Sequence, residues 1–470
     1  MDLLRSKGLP IPKVYAYSLT SKNEAQTEYI LMEYVEGTVL SQIWFDLKED
    51  EIISLMEQLA KLESTMMSIA FPAGGSIYYA RDLMELSGNE GIPLDEQFES
   101  SSLEKERFCI GPDVSVPLWY GRREQLDVFR GPCTSHFSYL FCLFSTNRWN
   151  IDEDAKSVLV TGAEKELAYL DQFGSPRIPY EHFRREHYNY EKQPPSDHAK
   201  NLRRYLCLAP SLVPDDDSLS AFCIRHPDLT DSNLMVSINS NGLRILSMLD
   251  WQHAAVLPLF LHAGMPDVIQ NEEDEASRSM AEPKLPDDFD GLSEEGQGWE
   301  MELLRRRLVH YHYNLSTAAY NRIHHIGLVC SLNPSRRRIF NHATAVWEGE
   351  TIELLIALIE MVFGWTIIAK DGTPCPVMFT VDEITAAEKL HQALANAYIH
   401  ESMLRKIVGC GEETWVPVAH YEEAKALGQK IKQLTLEASA EDEDPEGTYA
   451  VIEANWPLDD MDEEKLEEYK

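Results

Sequence analysis

The stretch that most constrains the fold of this chain runs from Ala221 to Trp251. A short apolar run, Ala221-Phe222-Cys223-Ile224, leads into Arg225-His226-Pro227-Asp228-Leu229-Thr230-Asp231-Ser232-Asn233. Leu234-Met235-Val236-Ser237-Ile238 then reads as a strand, and Asn239-Ser240-Asn241-Gly242 is a strong hairpin signal. Residues 243–249 return as a second strand that ends in Asp250-Trp251. A loop, a hairpin and a strand end thus converge on one point. They bring the polar residues of an H-x-D-x-x-x-x-N pattern together with a strand-end Asp.

Those residue types suit phosphoryl transfer. A hydroxyl that attacks a phosphoryl group needs a carboxylate within hydrogen-bond reach to orient it and take its proton. The phosphates carry concentrated negative charge, which a hard cation neutralises. Magnesium takes oxygen ligands, and an Asn carbonyl and an Asp carboxylate supply one each, leaving room for phosphate oxygens and water. On this reading Asp228 is the base, Asn233 and Asp250 are the metal ligands, and His226 braces the loop. Asp and Asn in an isolated loop are more often turn-formers. The hairpin, with the Asp-Trp pair at its end, is what sets this pattern apart.

Upstream, Glu28-Tyr29-Ile30-Leu31-Met32-Glu33-Tyr34-Val35-Glu36-Gly37 is an apolar strand running into a Gly-terminated turn. Further pieces are Gly8-Leu9-Pro10-Ile11-Pro12-Lys13-Val14-Tyr15, Gly75-Ser76-Ile77-Tyr78-Tyr79, Phe108-Cys109-Ile110-Gly111-Pro112, Asp127-Val128-Phe129-Arg130-Gly131-Pro132 and Leu285-Pro286-Asp287-Asp288-Phe289. With these and the 225–233 loop, the chain resembles the aminoglycoside phosphotransferase (choline-kinase-like) branch of the protein-kinase-like superfamily. Within it, the resemblance is to the fungal altered-inheritance-of-mitochondria group, over most of the chain up to about Trp415. The resemblance implies an α+β, protein-kinase-like two-lobed fold, with a truncated N-terminal lobe and a mainly helical C-terminal lobe. It implies ATP and Mg as cofactors and a small-molecule hydroxyl as acceptor. Met32 would line the back of the adenine pocket, and the Glu33 carbonyl and Val35 amide would bind the adenine edge. Read without the catalytic loop, Met32 and Val35 are ordinary strand core.

A complete member of that family carries, before the position of Gly8, a phosphate-covering hairpin, a strand Lys and a helix Glu that positions the Lys. Residues 1–8 read as the last turns of that helix with Gly8 as C-cap, so the chain is expected to lack these parts. Lys7 and Lys13 are poor substitutes, one ending a helix and the other opening a strand. Two functions stay open: an ATP/Mg-dependent phosphotransferase impaired by the missing segment, or a catalytically inactive kinase-like binding or scaffold protein. The group's name suggests a mitochondrial location, with the cytoplasm as the alternative.

Composition bounds the rest. With 44% hydrophobic residues and nine Trp in 470 residues, wholesale disorder is excluded. A formal charge of −36 argues against nucleic-acid partners. The eight cysteines show no C-x-x-C pair and read as reduced, intracellular and mostly buried. The His310/His312 and His324/His325 pairs read as ordinary helix residues. The apolar stretch 352–368 carries Glu353 and Glu360 and reads as a buried helix, so no membrane span is expected. Oligomeric state leaves no trace in the sequence.

The expected organisation is a small-lobe remnant and hinge over 1–37, a helical large lobe over 38–440, and an acidic, solvated tail over 441–470. Helices are expected over 49–70, 160–173, 299–322, 335–368, 381–407 and 421–436. Insertions are expected at 137–158, which is densely aromatic, and at the acidic loop 267–296. The Arg305-Arg306-Arg307 and Arg336-Arg337-Arg338 clusters are expected to pair with carboxylates.

Overall fold

The computed structural model describes residues 1–470 except 89, 95–106, 133–153, 241, 370–371, 411–415, 417, 442–443 and 460–465. Most of the expected aromatic insertion 137–158 therefore lies outside the described residues. The chain divides into two compact units. One comprises Met1–Val116, Arg130–Thr161 and Leu212–Arg337, the other Pro117–Phe129, Gly162–Ser211 and Arg338–Lys470.

All the named strands lie in the first unit: β1 (Val14–Ser18), β2 (Tyr29–Met32), β3 (Thr38–Val39), β4 (Ser76–Tyr79), β5 (Ile92–Pro93), β6 (Phe108–Gly111), β7 (Phe222–Ile224), β8 (Leu234–Asn239), β9 (Gly242–Met248) and β10 (Val256–Pro258). They form small antiparallel sheets in the orders β1-β2, β3-β8-β9, β4-β6-β5 and β10-β7. The expected hairpin forms, with Asn239 opposite Gly242 and Leu234 opposite Met248. Its register follows the alternation of the sequence: Leu234, Val236, Leu243 and Ile245 are buried while Asn239 and Arg244 face water.

The Glu49–Met67 helix lies against this hairpin. Its buried stripe (Ile52, Leu55, Met56, Leu59, Glu63, Met66) has the helical repeat. Gln58 fastens it to β9, its amide donating to the Leu243 carbonyl at 3.0 Å and its carbonyl accepting from the Ile245 N–H at 2.9 Å. The same helix packs on the Glu294–Tyr320 helix. The acidic stretch 267–296 holds short helical turns at Asp267–Ile269, Glu275–Arg278 and Phe289–Gly291 before that long helix begins.

The second unit is helical. Ile352, Ile356 and Ile359 pack against Ala387 and Leu394 of the Val381–Ile407 helix. That helix has the expected bounds and starts on a reciprocal cap. The Thr380 hydroxyl accepts from the Glu383 N–H at 3.1 Å, and the Glu383 carboxylate accepts from the Thr380 N–H at 3.0 Å. The single helix expected over 335–368 is instead broken into Asn333–Thr344, Ile352–Phe363 and Trp365–Ile368. At the first break the Glu348 carbonyl accepts from the Tyr180 N–H at 3.0 Å. Gly349 has φ +93°, and a Cβ there would sit 2.5 Å from the Ile178 carbonyl oxygen. A tertiary hydrogen bond and a left-handed glycine outweigh helix propensity here.

Within the acidic 441–470 stretch, Pro445–Ala454 is helical and Trp456 and Tyr469 are buried. Tyr469 donates to the Ile178 carbonyl at 2.8 Å and meets the Tyr180 ring edge-on at 5.2 Å.

Among the described residues no helix is long and apolar enough to cross a membrane. The apolar Ile352–Phe363 helix buries Ile352, Leu354, Ile356, Leu358 and Ile359 within the unit instead. The described cysteines are free, but only Cys109 and Cys223 are buried; Cys207 is exposed. Of the arginine clusters, Arg305 and Arg306 pair with Glu302 at 2.6 and 2.9 Å, and Arg307 with Asp274 at 2.7 Å. Arg338 pairs with Glu360 at 2.8 Å. Arg337, by contrast, donates to the Ala263 carbonyl at 3.2 Å, and Arg336 to the Cys330 sulfur at 3.7 Å.

Candidate functional site

The loop between β7 and β8 is pinned from both sides. His226 is buried, and both of its ring nitrogens meet backbone groups. Nε2–H donates to the Leu249 carbonyl at 2.6 Å, and Nδ1 accepts from the Asp228 N–H at 3.2 Å. That pattern fixes the neutral tautomer with its proton on Nε2. Burial lowers the His226 pKa; the Leu249 carbonyl and the Asp228 and Asp250 carboxylates pull the other way without reversing it. The indole of Trp251 donates to the Met248 carbonyl at 3.2 Å and packs against the imidazole, with ring centres 4.6 Å apart. His226 therefore ties the Asp228 turn to the strand end that carries Asp250.

Asn233 closes the loop. Its side-chain N–H₂ donates to both the Asp228 carbonyl and the Asp228 carboxylate, each at 2.9 Å. With the nitrogen so engaged, the amide oxygen is the end of Asn233 left to act as a ligand. The Asn233 backbone carbonyl accepts from the Leu249 N–H at 2.8 Å, which sets Asp250 one residue beyond that rung. Asp250 and His253 have φ of +58° and +61°, a left-handed conformation that few non-Gly residues adopt and that Asp and His adopt more readily than most. Asp228 and Asp250 are exposed and Asn233 is half-buried, so all three are reachable from solvent.

The Asn233 amide oxygen and the Asp250 carboxylate are donors of the kind a hard divalent cation takes, with water or phosphate oxygens completing its shell. Among the described residues no group of three or more His, Cys, Asp or Glu is arranged to hold a metal ion. Asn233 and Asp250 would therefore be partial ligands rather than a closed cage.

The residues expected to form a hinge lie in the same unit. β3 pairs with β8, Thr38 opposite Val236 and Val39 opposite Met235, so the chain leaving Val35 runs alongside the strand that follows Asn233. The Glu33 N–H donates to the Lys13 carbonyl at 2.8 Å, and the Glu33 carboxylate accepts from the Lys13 N–H and from Arg5. Val35 is half-buried, whereas Met32 is 40% exposed and Tyr34 86% exposed. The structure joins Asp228, Asn233 and His226 by direct bonds and Asp250 through the Leu249 rung. It does not enclose Met32.

Sequence reasoning missed the buried charges behind the loop. Arg225 meets Glu63 at 2.6 Å, and Tyr313 donates to the other Glu63 oxygen at 2.7 Å. A Glu on the apolar stripe of the Glu49–Met67 helix was the available signal.

The fold and site define a mixed α+β protein in which a polar loop is braced against a β-hairpin. Among known proteins the chain is similar to a subtelomeric hrmA-associated cluster protein of Aspergillus fumigatus, 29% identical over 99% of this chain and 89% of that relative. It is also similar to altered inheritance of mitochondria protein 9, mitochondrial, of Vanderwaltozyma polyspora, 22% identical over 90% of this chain and 64% of that relative. The protein of the same name from Saccharomyces cerevisiae is 23% identical over 91% of this chain and 66% of its own length. No protein-family model and no solved structure matches the chain.

Proposed function

We propose that the chain carries a protein-kinase-like phosphotransferase site that uses ATP and Mg to phosphorylate a small-molecule hydroxyl. The observation that carries this reading is the double hydrogen bond from Asn233 to Asp228, with Asp250 one residue beyond the Leu249–Asn233 rung. On this reading the Asn233 amide holds the Asp228 carboxylate in one orientation, and Asp228 takes the proton of the attacking hydroxyl. The Asn233 oxygen and the Asp250 carboxylate hold Mg, which supplies neutralisation of the phosphate charge. His226, neutral and committed to backbone, keeps these groups in register and takes no part in proton transfer.

The test is a thermal-shift titration of the chain with ATP, with and without Mg, alongside Asp228→Asn and Asn233→Leu variants. Binding at 100 times the dissociation constant adds about 2.7 kcal/mol of stability. A Mg-dependent shift with ATP that the Asn233→Leu change removes is the expected result. No shift with Mg-ATP refutes the reading. It then favours a non-catalytic binding or scaffold protein, which the exposure of Met32 and Tyr34 also favours. The relatives named as mitochondrial support a mitochondrial location, which imaging of a tagged full-length product checks.

A further inference from the structure

The guanidinium of Arg225, immediately before His226, gathers partners from three separate helices. Its Nε donates to Glu63 Oε1 at 2.8 Å, and its Nη2 lies 2.6 Å from the same oxygen. Nη2 also reaches the Tyr313 hydroxyl at 3.3 Å, and Nη1 donates to the His262 carbonyl at 3.0 Å. Tyr313 closes the ring by donating to Glu63 Oε2 at 2.7 Å. Glu63 and Tyr313 are fully buried, and His324 Nδ1 stands 4.0 Å from Glu63 Oε2.

A buried ion pair contributes little net stability over an apolar pair of the same size, because desolvation offsets the attraction. What it does impose is geometry. A guanidinium has five donors in a rigid fork, so satisfying them from fixed helices leaves one position for the backbone that carries it. That backbone is Arg225-His226, and His226 in turn holds the Leu249 carbonyl next to Asp250. One dipeptide thus links the helical core to both arms of the candidate site.

We propose that Arg225, Glu63 and Tyr313 form a positioning unit that sets the Asp228 loop and, through His226, the Asp250 turn. The inference rests on the reading of Asp228, Asn233 and Asp250 given above, but it can be tested apart from it. Amide hydrogen exchange on the full chain is compared for the unaltered protein, Tyr313→Phe, and the double change Glu63→Leu with Arg225→Met. Exchange at residues 226–233 and 249–251 should rise about tenfold or more in the variants. Exchange in β8, β9 and the Val381–Ile407 helix should stay unchanged.

Unchanged loop exchange overturns the proposal, as does an equal rise throughout the first unit, which marks general loss of stability. Should the double variant not fold, Tyr313→Phe alone decides. Titration with Mn²⁺ adds the link to the ligands: affinity lowered about tenfold in Tyr313→Phe supports it, and equal affinity overturns it. If the unaltered chain binds no Mn²⁺, the phosphotransferase reading fails, while the exchange result still decides the positioning role.

Discussion

Glu166 is the hub of the second unit's buried charge, and Glu166→Gln should cost about 3–5 kcal/mol of that unit's stability. Its carboxylate is fully buried and takes four donors. Arg123 Nε and Lys165 Nζ reach Oε2 at 2.7 and 2.8 Å, while Arg123 Nη2 and the Trp347 N–H reach Oε1 at 2.5 and 2.8 Å. Glutamine keeps the shape but turns an N–H₂ toward donors where an oxygen stood, and it removes the counter-charge of two buried cations. A second route gives a similar figure. Burial alone would raise the Glu166 pKa, but Arg123 and Lys165 reverse that and hold it at about 2, against an ordinary 4.5. At 1.4 kcal/mol per unit that is about 3 kcal/mol.

The sign is that of a depressed carboxylate. The stabilisation is complete above pH 4.5 and is lost as pH falls from 4.5 toward 2. Urea unfolding of the full chain at pH 7, read by hydrogen exchange in the Pro195–Leu208 and Ile352–Phe363 helices, measures the loss. Repeating it down to pH 3 should show an acid decline that is weaker in the variant. A loss under about 1 kcal/mol, or an identical acid decline, would refute the reasoning.

Two further outcomes concern the core. Burial lowers the pKa of both His324 and His198 to about 4, so the unfolded chain protonates them first as pH drops. Their contribution is complete above about pH 6.5 and falls away toward pH 4, each adding a slope of up to about 1.4 kcal/mol per pH unit. Urea midpoints that do not change between pH 7 and pH 5 would contradict this. Gly75 has φ +143°, and a Cβ there would lie 2.2 Å from the Gly111 carbonyl oxygen across the β4–β6 pair. Gly75→Ala should therefore cost more than about 1 kcal/mol, measured as a lowered thermal midpoint; a neutral result would show that the strand can shift.

Much of the local structure was legible because it is written in short-range chemistry. The Asn239–Gly242 turn and the alternation on either side of it specify the β8–β9 hairpin. The periodic stripe of residues 49–67 specifies a helix against it, and the Val381–Ile407 helix forms with its expected bounds. The rung that sets Asp250 one residue beyond the Asn233–Leu249 pair follows from the same features, since a hairpin of fixed register places its two ends side by side. Helix continuity across 335–368 could not be judged that way. Its break depends on Ile178 and Tyr180, which approach Gly349 and Glu348 only in the folded chain.

What the sequence by itself determined, then, is the loop-hairpin-strand unit and helices such as Glu49–Met67 and Val381–Ile407, because backbone turns and amphipathic periods act over a few residues. What only the tertiary structure decided is which charges are buried together. Glu63 meets Arg225 across 162 residues and Tyr313 across 250, and the acidic 441–470 stretch buries Trp456 and Tyr469 despite its composition. A charge is tolerated inside a protein only where its partner is also brought inside. That pairing is a property of the packed chain: Glu63 on an apolar stripe marks in the sequence that a buried charge needs a partner, but not which residue supplies it.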